Sequence, residues 1–238
     1  MVDTREVYVE HAVRNLLRTS RTAHGRLDAS ASKGKRRQLA QGLTPLDVGS
    51  LATGNYRSTI IDLYDRRNLP ISCATELRDF VESIVLSVNR GLVREGALYR
   101  EDDSSSLPYT RADTLLSEVV GPLFEEFHQR LTRSLSDPVE TAGWVEYRMD
   151  LTDHLWADGC GRSTKAVAAW VLMRAGHSLP VYPADRRSQF AAAPCTARTA
   201  SRDREQEQYE KWLRYYRSLF ETWPGNAAPA GDSGRIGT

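Results

Sequence analysis

The sequence predicts an all-α fold, and three apolar stripes at helical spacing predict it. Residues 75–92 place Leu77, Phe80, Val81, Ile84, Val85 and Val88 on one side of a helix, a stripe that has to be buried. Residues 113–135 repeat the pattern with Leu115, Leu116, Val119, Val120, Leu123, Phe124, Phe127 and Leu131. Residues 203–222 repeat it a third time with Tyr209, Trp212, Leu213, Tyr216, Leu219 and Phe220. An aromatic stripe of this kind reads as core in preference to a base-stacking surface.

The remaining elements follow in chain order. Residues 8–19 carry Val9, Val13, Leu16 and Leu17 and predict a short amphipathic helix. Residues 18–37 are polar and aperiodic, with the basic run Lys33-Gly34-Lys35-Arg36-Arg37, and read as a linker or mobile loop. A patch for nucleic acid or an acidic partner is the alternative there, and a solvated charge run is the preferred reading. In the 113–135 helix Pro122 removes one ladder bond and predicts a kink. Residues 137–153 form a further helix, with Asp137 as N-cap and Pro138 as first helical residue. Residues 162–175 form the next, with Gly176 as its C-cap. Beyond Pro180 the pattern thins: residues 188–199 are Ala-rich, contain Pro194 and stay ambiguous, and the Gly-, Ala- and Pro-rich tail from 224 to 238 is expected to be disordered.

Composition narrows the function classes. The 238 residues suffice for one domain with a sizeable core and extensions. With 32 basic and 31 acidic residues the net charge is +1, which gives no global field of the kind that marks a nucleic-acid binder. The cysteines Cys73, Cys160 and Cys195 are odd in number, and no apolar N-terminal run resembles a signal peptide, so a reducing cytoplasm is the expected location. No stretch approaches the roughly 18 apolar residues of a membrane span, and no membrane partner is expected.

Chemistry concentrates in His154-Leu155-Trp156-Ala157-Asp158-Gly159-Cys160-Gly161-Arg162, followed by Lys165. An imidazole can take a proton from a hydroxyl near neutral pH. A carboxylate four residues on can hold a hard cation, and a glycine-flanked turn opening a helix presents backbone N–H groups to phosphate oxygens. Arg162 adds a fork suited to bidentate phosphate contact, and Lys165 a point charge. A lone histidine reads by default as a buried structural group. The spacing of His154 to Asp158 and Arg162 favours catalysis instead. Asp158 also suits a helix cap, and Cys160 suits either a neutral loop position or a nucleophile activated by the helix N-terminus. His11, His24, His128 and His177 show no comparable partners and read as surface or structural residues.

The order and spacing of this block resemble the Fic family signature, His-Pro-Phe-x-Asp-Gly-Asn-Gly-Arg-x-x-Arg. Upstream, Gly96-Ala97-Leu98-Tyr99-Arg100 is similar to the family's Ala-Gly-x-Tyr-Arg segment, after which a β-hairpin flap covers the active site. Residues 100–110 would be that flap. The resemblance spans about 75–182 and implies a Fic-like helical core at 71–185. An N-terminal helical extension with the basic linker (1–70), a C-terminal helical extension (186–223) and the tail (224–238) complete the chain. It further implies magnesium-dependent transfer of a nucleotide monophosphate, AMP from ATP or the equivalent from another nucleotide, to a hydroxyl of a protein acceptor. On that reading His154 is the catalytic base, Asp158 holds the metal, and Gly159, Cys160, Gly161, Arg162 and Lys165 bind the nucleotide phosphates. Alternatives are a small-molecule acceptor, reversed phosphoryl transfer, and a Fic-like protein that binds nucleotide without catalysis.

Departures from the signature are specific. Leu155 and Trp156 replace Pro-Phe and keep an apolar anchor; Cys160 replaces Asn, exchanging an amide for a weak thiol donor; Lys165 replaces the second Arg and loses its fork. Many family members carry an inhibitory helix with the pattern Ser/Thr-x-x-x-Glu-Gly/Asn. Here Glu95-Gly96 has Gly91 at the Ser/Thr position, so self-inhibition by that route is not expected.

Overall fold

The computed structural model describes residues 4–20, 42–93, 98–101, 110–133, 137–183 and 202–221, and among these it is helical, with no strand. The isolated antiparallel bridge Tyr99–Trp156 is the extended pairing present among them. The hairpin expected at the flap falls on 102–109, outside the described residues, as do most of the basic linker, residues 188–199 and the tail.

Helix α1, Thr4–Thr19, buries Val9, Ala12, Val13 and Leu16. Leu17 is 37% exposed, because neighbours on a helix point about 100° apart and Leu16 holds the inward position. Three polar side chains of α1, His11, Asn15 and Thr19, are buried, and Thr19 Oγ1 donates to Asn15 O at 2.9 Å. His11 Nε2 lies 2.9 Å from Pro180 O, and Asn15 Nδ2 donates to the same carbonyl at 2.6 Å. Burial lowers the His11 pKa, consistent with its structural role. Helix α2, Pro45–Asp65, has no stripe assigned to it by sequence. It starts on a capping box in which Asp47 N donates to Thr44 Oγ1 and Thr44 N donates to Asp47 Oδ2, with Pro45 in the first turn. Its buried face is Val48, Ala52, Tyr56, Ile60 and Leu63.

Helix α3, Ala74–Val88, buries all six residues of its predicted stripe. The next predicted helix is divided into a single turn at Ala112–Thr114, a wide π turn at Leu115–Val119 and helix α4, Val120–Thr132. In the wide turn Val120 N donates to Leu115 O, five residues back, just before Pro122. Where the kink is expected, the structure has this π turn just ahead of Pro122. The altered register leaves Leu116 outside, 59% exposed, while Leu115, Val119 and Val120 are buried.

Helix α5, Pro138–Glu146, begins as predicted, with Asp137 Oδ1 accepting from Val139 N at 2.9 Å. It runs into a second π turn, Tyr147–Thr152. Helix α6, Cys160–Arg174, is the central element and packs against α2, α3 and α5. It ends with Gly176 at φ 71°, where Gly176 N donates to Met173 O and His177 N to Leu172 O. Helix α7, Arg202–Glu221, lies on α5. Trp212 Nε1 donates to Gly143 O at 2.8 Å, and Tyr216 packs so closely on Gly143 that an added Cβ would meet its ring at 2.9 Å. Trp212, Tyr216, Leu219 and Phe220 share one core with α1 and α6, so the aromatic stripe is core. No described helix is long and apolar enough to cross a membrane.

Candidate active site

The loop 153–159 joins the π turn Tyr147–Thr152 to the N-terminus of α6, and its shape follows from two backbone features. Asp153 N reaches back to Arg148 O and Leu155 N to Met149 O, continuing the wide turn before the chain breaks away. His154 has φ 49° and Gly159 has φ 62°, both left-handed; Gly159, without a Cβ, adopts this at little cost. Leu155 and Trp156 are fully buried and anchor the loop in the core.

Gly159 is the N-cap of α6, and no side chain caps the helix. Arg162 N and Ser163 N both donate to Gly159 O, which leaves the Cys160 and Gly161 N–H groups in the part of the first turn that has no intrahelical acceptor. Asp158 Oδ1 accepts from Gly159 N. It therefore precedes the cap and does not act as the cap. Arg162, 4% exposed, lies across Gly159 and donates from Nη2 to Asn89 Oδ1 at 2.6 Å. Its Nε is buried without a hydrogen-bond partner among the described residues. Burial lowers the Arg162 pKa and Asp158 opposes that shift. A desolvated guanidinium with an open donor, next to open backbone N–H groups at a helix N-terminus, is suited to an anion.

Beneath the loop, His154 Nδ1 lies 3.5 Å from Asp150 Oδ1 and 3.2 Å from Asp150 O. Burial disfavours the imidazolium, but the Cys160 sulfur and the Asp150 carboxylate outweigh it and raise the His154 pKa. Cys160 Sγ donates to Met149 O at 3.0 Å, and burial pushes its thiol pKa up. The side chain thus points under the loop and only the Cys160 backbone faces the helix mouth.

Both ends of the expected flap meet this loop. Arg100 N donates to Leu155 O and Ala157 N to Leu98 O, forming the Tyr99–Trp156 bridge. The Tyr99 hydroxyl donates to Glu82 on α3 at 2.6 Å, and its ring stacks 5.3 Å from that of Trp156. At the far end Thr110 Oγ1 donates to Asp153 Oδ1, and the Arg100 guanidinium spans Thr110 O, Asp153 O and His154 O. Arg148 holds the other Asp153 oxygen at 3.1 Å. Asp153, 1% exposed, is the buried hub of this clasp.

The structure therefore brings His154, Asp158, Gly159, Cys160, Gly161 and Arg162 together at one helix mouth. Lys165 lies elsewhere. Its Nζ is 2.8 Å from Glu146 Oε2 and 3.8 Å from the Tyr182 ring centroid, and the Tyr182 hydroxyl donates to the same carboxylate. Sequence reasoning missed Asn89, Asp150 and Asp153. Asn89 bears no local mark, because its tie to Arg162 spans 73 positions. Asp150 precedes His154 by four residues, a spacing that could have flagged it.

No family model matches the sequence, and no curated protein matches it. Among solved structures the chain is similar to a Fic domain-containing signaling protein from Bacteroides thetaiotaomicron, with a TM-score of 0.62 and 15% identity over 90% of this chain and 83% of that one. At that identity the likeness is one of fold: the chain has the all-α fold of a Fic domain.

Proposed function

We propose that this chain is a Fic-type transferase that moves a nucleotide monophosphate, AMP from ATP, to a hydroxyl of a protein acceptor. One observation carries the reading: the mouth of α6 joins open backbone N–H groups to the buried, incompletely partnered Arg162 within eight residues of an imidazole. In this mechanism the donor phosphates sit on the Cys160 and Gly161 N–H groups, and Arg162 neutralises charge that develops on them in the transition state. His154, once released from Asp150, accepts the proton of the attacking hydroxyl. The clasp of Arg100, Thr110 and Asp153 holds Arg100 and Thr110 against the loop, and an acceptor segment would lie beside it.

Magnesium fits Asp158. The ion keeps most of its water and takes one or two carboxylates beside substrate phosphates; of the two loop carboxylates, Asp153 is engaged by Arg148 and Thr110, and Asp158 lies next to the proposed phosphate position. When bound, the ion offsets phosphate charge. Asp158→Ala is expected to raise the magnesium concentration for half-maximal transfer by about tenfold or more, since even an outer-shell partner is worth roughly 10–100-fold. Magnesium titration of the rate checks this. An unchanged requirement accompanied by a lowered melting temperature contradicts the metal role.

A further inference from the structure

The side chains of Asp150, His154 and Cys160 converge under the loop, and of these side chains the transfer mechanism uses only the imidazole as an acceptor of the proton. Their ligating atoms, a carboxylate oxygen, an imidazole nitrogen and Sγ, all lie within 4.8 Å of one another. A tetrahedral zinc ion with bonds of about 2.0 Å to N and O and about 2.3 Å to S holds its ligand atoms roughly 3.3–3.6 Å apart. The Nδ1 to Oδ1 edge is already 3.5 Å. The edges to sulfur need to close by little more than about 1 Å, within the reach of side-chain rotation. The thiolate is a soft and the imidazole a borderline donor, and together with one carboxylate they select zinc-class ions over magnesium or calcium. Entry is open on one side, where the side chains of His154 and Asp150 are 30% and 16% exposed.

We infer that these three side chains form a site for a zinc-class divalent cation, and that its occupation shuts off transfer. On binding, the Cys160 thiol proton passes to solvent as the sulfur–metal bond forms. With Nδ1 coordinated, the other ring nitrogen of His154 carries the hydrogen and has no lone pair for a hydroxyl proton. The inhibitory clause rests on the proposed transferase reading; the metal site does not.

Titration of the full chain with Co2+, followed by optical absorption, tests the site without any nucleotide. One Co2+ per chain with a thiolate-to-cobalt charge-transfer band is expected, displaced by Zn2+. The band is expected to vanish in Cys160→Ser and to persist in Cys73→Ser and Cys195→Ser. Asp150→Asn is expected to weaken binding by about tenfold or more. A wild type without the band, a band retained in Cys160→Ser, or unchanged affinity in folded Asp150→Asn overturns the site. Inhibition of wild-type transfer over the Zn2+ range that displaces Co2+ supports the shut-off, and uninhibited transfer by zinc-loaded protein overturns it. Metal binding in a protein that transfers nothing under any condition contradicts the transferase reading and leaves the metal site standing.

Discussion

His154→Ala is expected to lose about 100-fold or more in turnover, the usual contribution of a positioned acid or base, while fold and nucleotide binding persist. The imidazole makes its close contacts with Asp150 and is not among the groups proposed to hold phosphate, which are Arg162 and the first-turn N–H groups of α6. Its removal therefore leaves the proposed phosphate position intact. Neither Leu155 nor Trp156, which anchor the loop, depends on it. Steady-state rates with parallel nucleotide-binding measurements check this. A folded variant with near wild-type rates removes His154 from the chemistry, and loss of nucleotide affinity equal to the loss of rate moves its role to the donor.

Gly159→Ala is expected to cost the site as much, by a different route. At φ 62° an alanine pays roughly 1–2 kcal/mol for the left-handed conformation. A Cβ there would also collide with Asn89 Oδ1 and the Arg162 guanidinium, lying 2.8 Å from Cζ. The 2.6 Å bond between Arg162 and Asn89 has to break or the loop has to move. Near-attack geometry is steep enough that a displacement of about 1 Å costs on the order of 100-fold. Transfer and nucleotide affinity should both fall, with a melting temperature only a few degrees lower. A variant that retains full affinity for nucleotide shows that Arg162 does not contact it.

The helices with dense apolar stripes were legible in the sequence: α3 buries every residue of its stripe, and α7 buries Trp212, Leu213, Tyr216, Leu219 and Phe220 of its own. Helix α2 was not, since Gly49 and Gly54 interrupt it and lower its helix propensity, though Thr44-Pro45-Leu46-Asp47 is a capping-box start. The π turn at Leu115–Val119 was also hidden: an extra residue in a turn leaves the stripe intact on paper while turning Leu116 to solvent. At the site, residues 154–162 were legible because the chemistry is contiguous. Asn89 and Asp153 belong to it through tertiary contacts that no local pattern encodes, whereas Asp150 stands four residues before His154, a spacing that marks it. Lys165, which the resemblance put among the phosphate ligands, is engaged by the buried Glu146 carboxylate. A charge on a buried helix goes where a partner offsets its desolvation.

On the proposed mechanism, the α6 mouth holds a nucleotide whose phosphate is attacked by a hydroxyl positioned at His154. Parallel incubations of the protein and a cell extract with magnesium and ATP labelled at either the α- or the γ-phosphate test it most directly, with His154→Ala alongside. The expected result is α-label, not γ-label, on a protein hydroxyl with wild type and none with the variant. Label from the γ position, or transfer that survives in His154→Ala, contradicts it.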